Sequence, residues 1–170
     1  MPSAISGNKA LIVVSDTTPL SELAKIGRLD LLHDVYGSVI IPQEVFNEAT
    51  AWNHPAVSTI TSAVWIHVRT VTNLRPVIAL HTSTGLGLGE CSAIFLAEEL
   101  NATRLLIDDL AARREAKSRN LPVIGTVGVL LVAKNLGIIP VVKDVLDDLI
   151  ANGARIGQQL YRNTLSIAGE

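Results

Sequence analysis

The chain has 170 residues, of which 48% are apolar and 18% are charged, and its formal net charge is −2. This length favours one domain and suffices to bury a full hydrophobic core. The near-neutral charge excludes attraction of nucleic acids or acidic membranes by the surface as a whole, so any phosphate binding must come from local side chains or from a metal ion.

Three features of the sequence predict a protein of the cytoplasm. Cys91 is the only cysteine, so an intrachain disulfide is impossible. The N-terminal residues lack a basic segment followed by a long apolar one, and we expect no signal peptide there. The longest uncharged apolar stretch, 123–133, is shorter than the ~18 residues that a membrane span needs, so we expect a soluble protein with no membrane partner.

Predicted strands and helices alternate in the first half of the chain. The apolar pattern predicts strands at 11–15 and 39–41, and helices that begin at Thr17, near 31 and at Pro42. For the first of these helices, Thr17 and Thr18 supply a threonine N-cap and Pro19 a proline in the first turn. Residues 52–84 are less regular, and we expect one or two short helices and a strand over 65–71.

The second half of the chain is more regular. After the glycine-spaced segment TGLGLG, the predicted elements are a helix over 90–100, a strand over 104–107, a helix over 110–119, a strand over 122–124, a helix over 126–136, and two closing amphipathic helices within 140–170. Short connections between alternating strands and helices imply parallel pairing with helices on both faces. We therefore expect one domain over 1–170, with a three-layer α/β/α sandwich and a mainly parallel central sheet.

Acidic residues follow two of the predicted strands where each strand ends. Asp16 follows the first strand, and Asp108 and Asp109 follow the apolar run LLI. Ligands of open α/β sheets bind outside the carboxyl ends of the strands, so these acids are candidates for a site. The simpler alternative is that each aspartate only caps the helix that follows it.

Two glutamates lie on predicted helices and face towards the core. Glu90 shares a helix face with Ala93 and Ile94, although the helix dipole alone also favours an acid in the first turn. Glu48 flanks the apolar stripe of its helix, which makes it a better candidate than Glu44, although Glu44 lies one turn away and could contribute.

Four or five acids at one sheet edge repel one another unless a cation neutralises them. Mg²⁺ and Mn²⁺ prefer such oxygen ligands, polarise phosphodiesters and lower the pKa of bound water. The four histidines form no i, i+4 or H-x-H pair, which argues against a zinc site. The acids therefore predict metal-dependent hydrolysis of a phosphodiester.

Basic residues on the helix after Asp109 suggest the substrate. Arg113 and Lys117 share a face at i, i+4 and could contact the phosphates of an RNA backbone beside the metal. The alternative is a solvated helix face, in which Glu115 is mixed with the basic residues.

Ordered blocks over nearly the whole chain resemble the PIN-domain superfamily, and most closely a branch of VapC-like prokaryotic proteins. These blocks are SDTTPLSELAKIGRLDLL at 15–32, VIIPQEVFNEA at 39–49, GLGECSAIFLA at 87–97 and LLIDDLAARREAKSRNLPVIGTVGVLLVAK at 105–134. The resemblance implies an α/β/α fold and a ribonuclease that uses Mg²⁺ or Mn²⁺. Many small members of the family are toxins of toxin–antitoxin pairs and form homodimers, so an antitoxin and a second copy of the chain are the implied protein partners.

The resemblance also assigns roles to particular residues. It implies that the catalytic and metal-binding acids are Asp16, Glu48, Glu90 and Asp109, with Asp108 beside them as a further metal ligand. Thr126 matches a family position near the site and otherwise reads as a helix N-cap, so we group it with Arg113 and Lys117 as substrate-binding candidates. Gly87 departs from the pattern L-D-x-G-E of this branch, and one outer acid is therefore missing.

The predicted function is a metal-dependent endoribonuclease that acts as a toxin. One alternative is a weak or inactive PIN-like module that binds RNA or a protein partner, which the missing acid at Gly87 would explain. The other is a phosphatase of the haloacid-dehalogenase type, which also uses an aspartate after the first strand. That family usually has a second aspartate two residues later, where this chain has Thr18.

Overall fold

A parallel sheet forms the centre of the molecule. The computed structural model describes residues 10–170, so the predicted absence of a signal peptide concerns residues that lie largely outside the described part. The strands are β1 (Val13–Ser15), β2 (Val39–Pro42), β3 (Ile66–Arg69), β4 (Arg104–Leu106) and β5 (Val123–Ile124). Their order is β3-β2-β1-β4-β5 and every pairing is parallel, which confirms the predicted parallel sheet.

Helices connect the strands and cover both faces of the sheet. In residues 10–170 they are α1 (Thr17–Lys25), α2 (Asp30–Tyr36), α3 (Gln43–Thr50), α4 (Ala56–Ser62), α5 (Leu74–Thr84), α6 (Leu88–Glu99), α7 (Leu110–Ser118), α8 (Thr126–Asn135), α9 (Val142–Ala151) and α10 (Gln158–Ala168). Within this part of the chain, no helix has both the length and the apolar character needed to cross a membrane.

The central strands are apolar on both sides because both faces of the sheet are buried. Val13 and Leu106 belong to a cluster with residues of α1–α4, α8 and α9. Their neighbours Val14 and Leu105 belong to a second cluster with residues of α5, α6 and α7. Adjacent strand residues thus enter different cores, as the alternation of side chains in a strand requires. The result is the predicted three-layer α/β/α sandwich.

Three helix N-termini differ slightly from the sequence pattern, among them that of α3, which begins at Gln43 with Pro42 as its N-cap. At the start of α1 the N-cap is Asp16 rather than a threonine, and Thr17 is already helical. The helix α6 begins at Leu88, because Gly87 is extended and serves as its N-cap. In all three cases the pattern located the helix but misplaced its N-cap or its first residue by one or two positions, which is the usual error at helix ends.

Candidate active site

Asp16 lies at the carboxyl end of the central strand β1. Its backbone N–H donates to the carbonyl of Leu106 in β4 at 2.9 Å, which fixes it between two strands. The residue is only 2% exposed, and its Oδ1 has no hydrogen-bond partner among the described residues 10–170. Asp16 is also the N-cap residue of α1, but its side chain makes no capping hydrogen bond. Helix capping therefore does not explain this carboxylate.

The surroundings of Asp16 disfavour its ionised form. Its pKa is raised from 3.8 to about 7; burial is the main cause, and the backbone N–H of Thr17 acts in the opposite direction. The negative charges of Glu90, Glu48 and Asp108 contribute to this increase, so all three acids act on Asp16 electrostatically. An unpartnered buried oxygen among three other acids is an environment that a cation would stabilise.

Glu48 is held against the ends of two helices. Its Oε2 accepts a hydrogen bond from the Thr17 hydroxyl at 2.8 Å, and its Oε1 accepts one from the Gly89 backbone N–H at 3.0 Å. A Cβ built at Gly89 would lie 2.5 Å from Oε2 of Glu48. Position 89 must therefore lack a side chain for Glu48 to approach α6 so closely.

Glu90 lies in the first turn of α6 and binds its own helix end. Its Oε2 accepts a hydrogen bond from the Gly87 N–H at 2.8 Å. Burial is the main cause that raises the pKa of Glu90 above its ordinary value, and the charges of Asp109 and Glu48 act in the same direction. Glu90 therefore makes a capping contact and also belongs to the acids around Asp16. We call these acids the acidic group: Asp16, Glu48, Glu90, Asp108 and Asp109.

Asp108 is held by the first residue of α8. Its Oδ1 accepts from the Thr126 backbone N–H at 2.8 Å, and its Oδ2 accepts from the Thr126 hydroxyl at 2.6 Å. Gly125 permits this contact, because a Cβ there would lie 2.8 Å from Oδ1 of Asp108 and 2.9 Å from Nη1 of Arg113. The Arg113 guanidinium in turn donates to the Ile107 carbonyl at 2.9 Å.

The two aspartates after β4 have different environments. Asp109 is exposed and caps α7, since its Oδ1 accepts from the Ala112 N–H at 2.8 Å. The simple capping interpretation thus holds for Asp109. Asp108 is half-buried, and its charge raises the pKa of Asp16. The geometry therefore favours Asp108 as the partner of Asp16, with Asp109 at the rim beside Glu90.

The carboxylate oxygens of these acids suit a hard divalent cation, although the side chains do not converge on one point. In residues 10–170, no three Asp, Glu, His or Cys side chains lie close enough together to form a metal site. Glu48, Glu90, Asp108 and Asp109 each accept hydrogen bonds from the protein instead, as mutually repelling carboxylates do. The unpartnered Oδ1 of Asp16 and the oxygen-only donors nevertheless fit Mg²⁺ or Mn²⁺.

The remaining predicted residues lie around this group. Thr126 is buried and directs both of its donors to Asp108. Arg113 is half-buried, Lys117 is exposed one turn further along α7, and a contact of either with substrate stays a prediction. Glu44 has a buried Oε2 without a partner, but its charge is not among the causes that raise the pKa of Asp16.

Sequence reasoning missed three residues that support the acids. They are Thr17, which we expected to cap α1, and the two glycines that lie against carboxylates, Gly89 and Gly125. Neither glycine has a positive φ, so no turn signal marks them. The available signal was position: each glycine directly precedes a candidate site residue.

Comparison with known proteins decides the family. A family model described as a PIN domain matches residues 12–170. The chain belongs to the PIN domain family. Among solved structures, it is similar in fold to PAE2754 from Pyrobaculum aerophilum, with a TM-score of 0.54 and 15% sequence identity over 75% of this chain and 99% of that one. No curated protein matches the chain significantly.

Membership of the PIN domain family narrows the range of functions. PIN domains are generally nucleases and typically use divalent metal ions, so this chain has a nuclease fold. The family match also assigns the chain to a different family from the haloacid-dehalogenase phosphatases, which removes the main support for that alternative.

The raised pKa of Asp16 predicts how stability depends on pH. Between pH 3.8 and about 7, folded Asp16 retains a proton that the unfolded chain has released. We therefore expect the free energy of unfolding of the metal-free protein to decrease as the pH rises through this range, by at most about 4 kcal/mol. Glu90 acts in the same direction, because burial raises its pKa as well.

The Asp16→Asn variant isolates the share of this dependence that belongs to Asp16. Chemical denaturation in EDTA at several pH values should show a flatter pH dependence for the variant than for the wild type. Parallel curves for the two proteins would contradict the assignment of a buried, protonated Asp16.

Proposed function

We propose that the protein is a Mg²⁺- or Mn²⁺-dependent endoribonuclease and the toxin of a toxin–antitoxin pair. The observation that carries this proposal is the buried carboxylate of Asp16, whose Oδ1 lacks a partner while three other acids lie close enough to raise its pKa. Such a group at the carboxyl edge of a PIN-type sheet fits a metal-dependent nuclease better than a structural role.

Asp16, Glu48, Glu90 and Asp108 are the residues that would hold the metal, with Asp109 at the rim. The bound ion would polarise the scissile phosphodiester, provide an activated water and stabilise the leaving oxygen. The protein itself orients the ligands, since Thr17 and Gly89 hold Glu48 while Thr126 holds Asp108. These contacts fix four carboxylate oxygens, both of Glu48 and both of Asp108, before any ion binds.

We assign substrate binding to the basic residues Arg113 and Lys117 of α7. Arg113 lies next to Asp108, across Gly125, and Lys117 is exposed one turn along the same face. Cations at this place can hold the phosphates that flank the scissile bond. Because the net charge of the chain is −2, the surface as a whole does not attract RNA, and the attraction must come from these side chains. The cognate antitoxin, the homodimer and the cytoplasmic location stay predictions.

A weak or inactive RNA-binding module is the second candidate. Two observations favour it: Gly87 stands where an outer acid is expected, and no three acidic side chains within residues 10–170 are close enough to form a metal site. At position 87, a Cβ would meet only the Glu90 carboxyl group, 3.5 Å away, so the site has room for the missing side chain. RNA binding without cleavage in any metal would favour this candidate.

The enzyme hypothesis predicts that one carboxylate and the metal are both indispensable. Asp16→Asn preserves shape and removes the charge, so it should reduce cleavage of single-stranded RNA to background, and EDTA should do the same to the wild type. The matched control is Asp148→Asn, because Asp148 is exposed on α9 and, within residues 10–170, only its backbone carbonyl and not its carboxylate accepts a hydrogen bond from a side chain. Gel analysis of labelled RNA with Mg²⁺ and Mn²⁺ measures all three proteins, and undiminished cleavage by Asp16→Asn would refute the proposal.

The contact between Thr126 and Asp108 predicts an effect on metal affinity. Thr126→Val keeps the size of the side chain but removes the hydroxyl that donates to Oδ2 of Asp108. We expect it to weaken Mn²⁺ binding by about 10–100-fold, as removal of a contact that orients a ligand commonly does, whereas Thr126→Ser should bind almost normally. Thr61→Val, on the exposed side of α4, is the control. Calorimetric titration measures the affinities, and equal values for Thr126→Val and the wild type would show that this contact does not orient a ligand.

A further inference from the structure

A groove of about 290 Å³ lies beside the acidic group. Its walls come from the end of α5, the loop before α6 and one face of α7. The lining residues are Thr84, Leu86, Ala111, Arg114, Glu115 and Ser118. The four residues from α7 are spaced i, i+3, i+4 and i+7, so they form one continuous helix face.

The groove adjoins the acids at one end. Leu86 immediately precedes Gly87, whose N–H binds Glu90, and Ala111 follows the capping residue Asp109 by two positions. The charges of Glu90 and Asp109 are close enough to interact. An RNA strand with its phosphate at the acids would therefore place a neighbouring nucleotide at the mouth of this groove.

Arg114 is the polar group in the groove that is available to a ligand. Within residues 10–170, its guanidinium makes no hydrogen bond or ion pair, whereas Glu115 is occupied by Arg119 at 2.7 Å. The hydroxyl groups of Thr84 and Ser118 already donate to backbone carbonyls of their own helices. Arg114 thus presents a free, planar cation above a partly apolar floor.

The chemistry of this floor favours a base over a phosphate. Leu86 is buried and Ala111 adds a methyl group, so this partly apolar surface suits the face of a base better than a second phosphate. A guanidinium can stack on the face of any nucleobase, and unstacked bases are the groups of single-stranded RNA that proteins bind in this way. Arg113 lies about 100° from Arg114 around α7 and points away from the groove face, whereas Lys117 is a neighbour of Arg114 at i, i+3 and lies at the edge of that face.

We propose that this groove binds one unpaired nucleobase next to the scissile phosphate, with Arg114 stacked on it. This inference rests on the proposed function, because it assumes that the acids bind the phosphate of an RNA chain. It adds a specificity site that the acids alone do not provide: the groove selects a nucleotide, while the acids act on the backbone.

A set of oligonucleotides with a single abasic nucleotide tests the groove. For the wild type, an abasic nucleotide at one position next to the cleavage site should raise KM by about threefold to tenfold and leave kcat nearly unchanged. Arg114→Gln should show the same increase in KM with the intact oligonucleotide, and the abasic nucleotide should then have no further effect. Arg155→Gln, which alters an exposed arginine in the loop between α9 and α10, is the control.

Arg114→Lys separates stacking from simple charge attraction. Lysine keeps the charge but lacks the planar guanidinium, so we expect it to behave like Arg114→Gln. If Arg114→Lys behaves like the wild type, or if the effects of the variant and the abasic nucleotide multiply, the base site is wrong.

Failure of the groove and failure of the nuclease proposal give different results. If no oligonucleotide is cleaved, the proposed function fails, and the same panel measured as equilibrium binding to the Asp16→Asn protein still decides whether Arg114 contacts a base. Cleavage that is indifferent to every abasic position overturns the groove alone.

Discussion

The burial of one carboxylate at the end of β1 governs the rest of the site. Asp16 is fixed between β1 and β4 by its backbone and is almost fully buried, so its charge cannot be solvated by water. Three other acids increase the cost of ionisation, and the pKa rises to about 7. A fold that only needed a helix cap would not retain this arrangement, because the Asp16 side chain makes no capping bond. The cost is understandable where a bound cation compensates it.

The hydrogen-bond donors around the acids explain how these carboxylates stay close despite their repulsion. Glu48 is held by a hydroxyl and a backbone N–H, and Asp108 is held in the same way by the two donors of Thr126. Gly89 and Gly125 let these carboxylates lie directly against helix ends, where backbone N–H groups and the helix dipole favour negative charge. Glycine rather than an acid at position 87 adds no further negative charge beside Glu90.

Much of the fold and of the site could be predicted from patterns within the sequence. The apolar strands and the acids Asp16 and Asp108 stood out because hydrophobic runs stop abruptly before them. The contacts of Gly89 and Thr17 with Glu48 could not be predicted, because these residues are far from Glu48 in the sequence. Gly89 is 41 positions away and Thr17 is 31 positions away. Asp108 and Asp109 are neighbours of the same type, and only the three-dimensional structure separates the half-buried member from the exposed helix cap.

We propose that the acidic group binds a divalent cation through Asp16, and diffraction from crystals soaked in Mn²⁺, with data collected for its anomalous signal, can locate such an ion. We expect one strong anomalous peak within about 2.0–2.3 Å of Oδ1 of Asp16, with Glu48, Glu90 or Asp108 turned towards it. A fully soaked crystal with no peak at Asp16, or with Mn²⁺ only at other places on the surface, would contradict it.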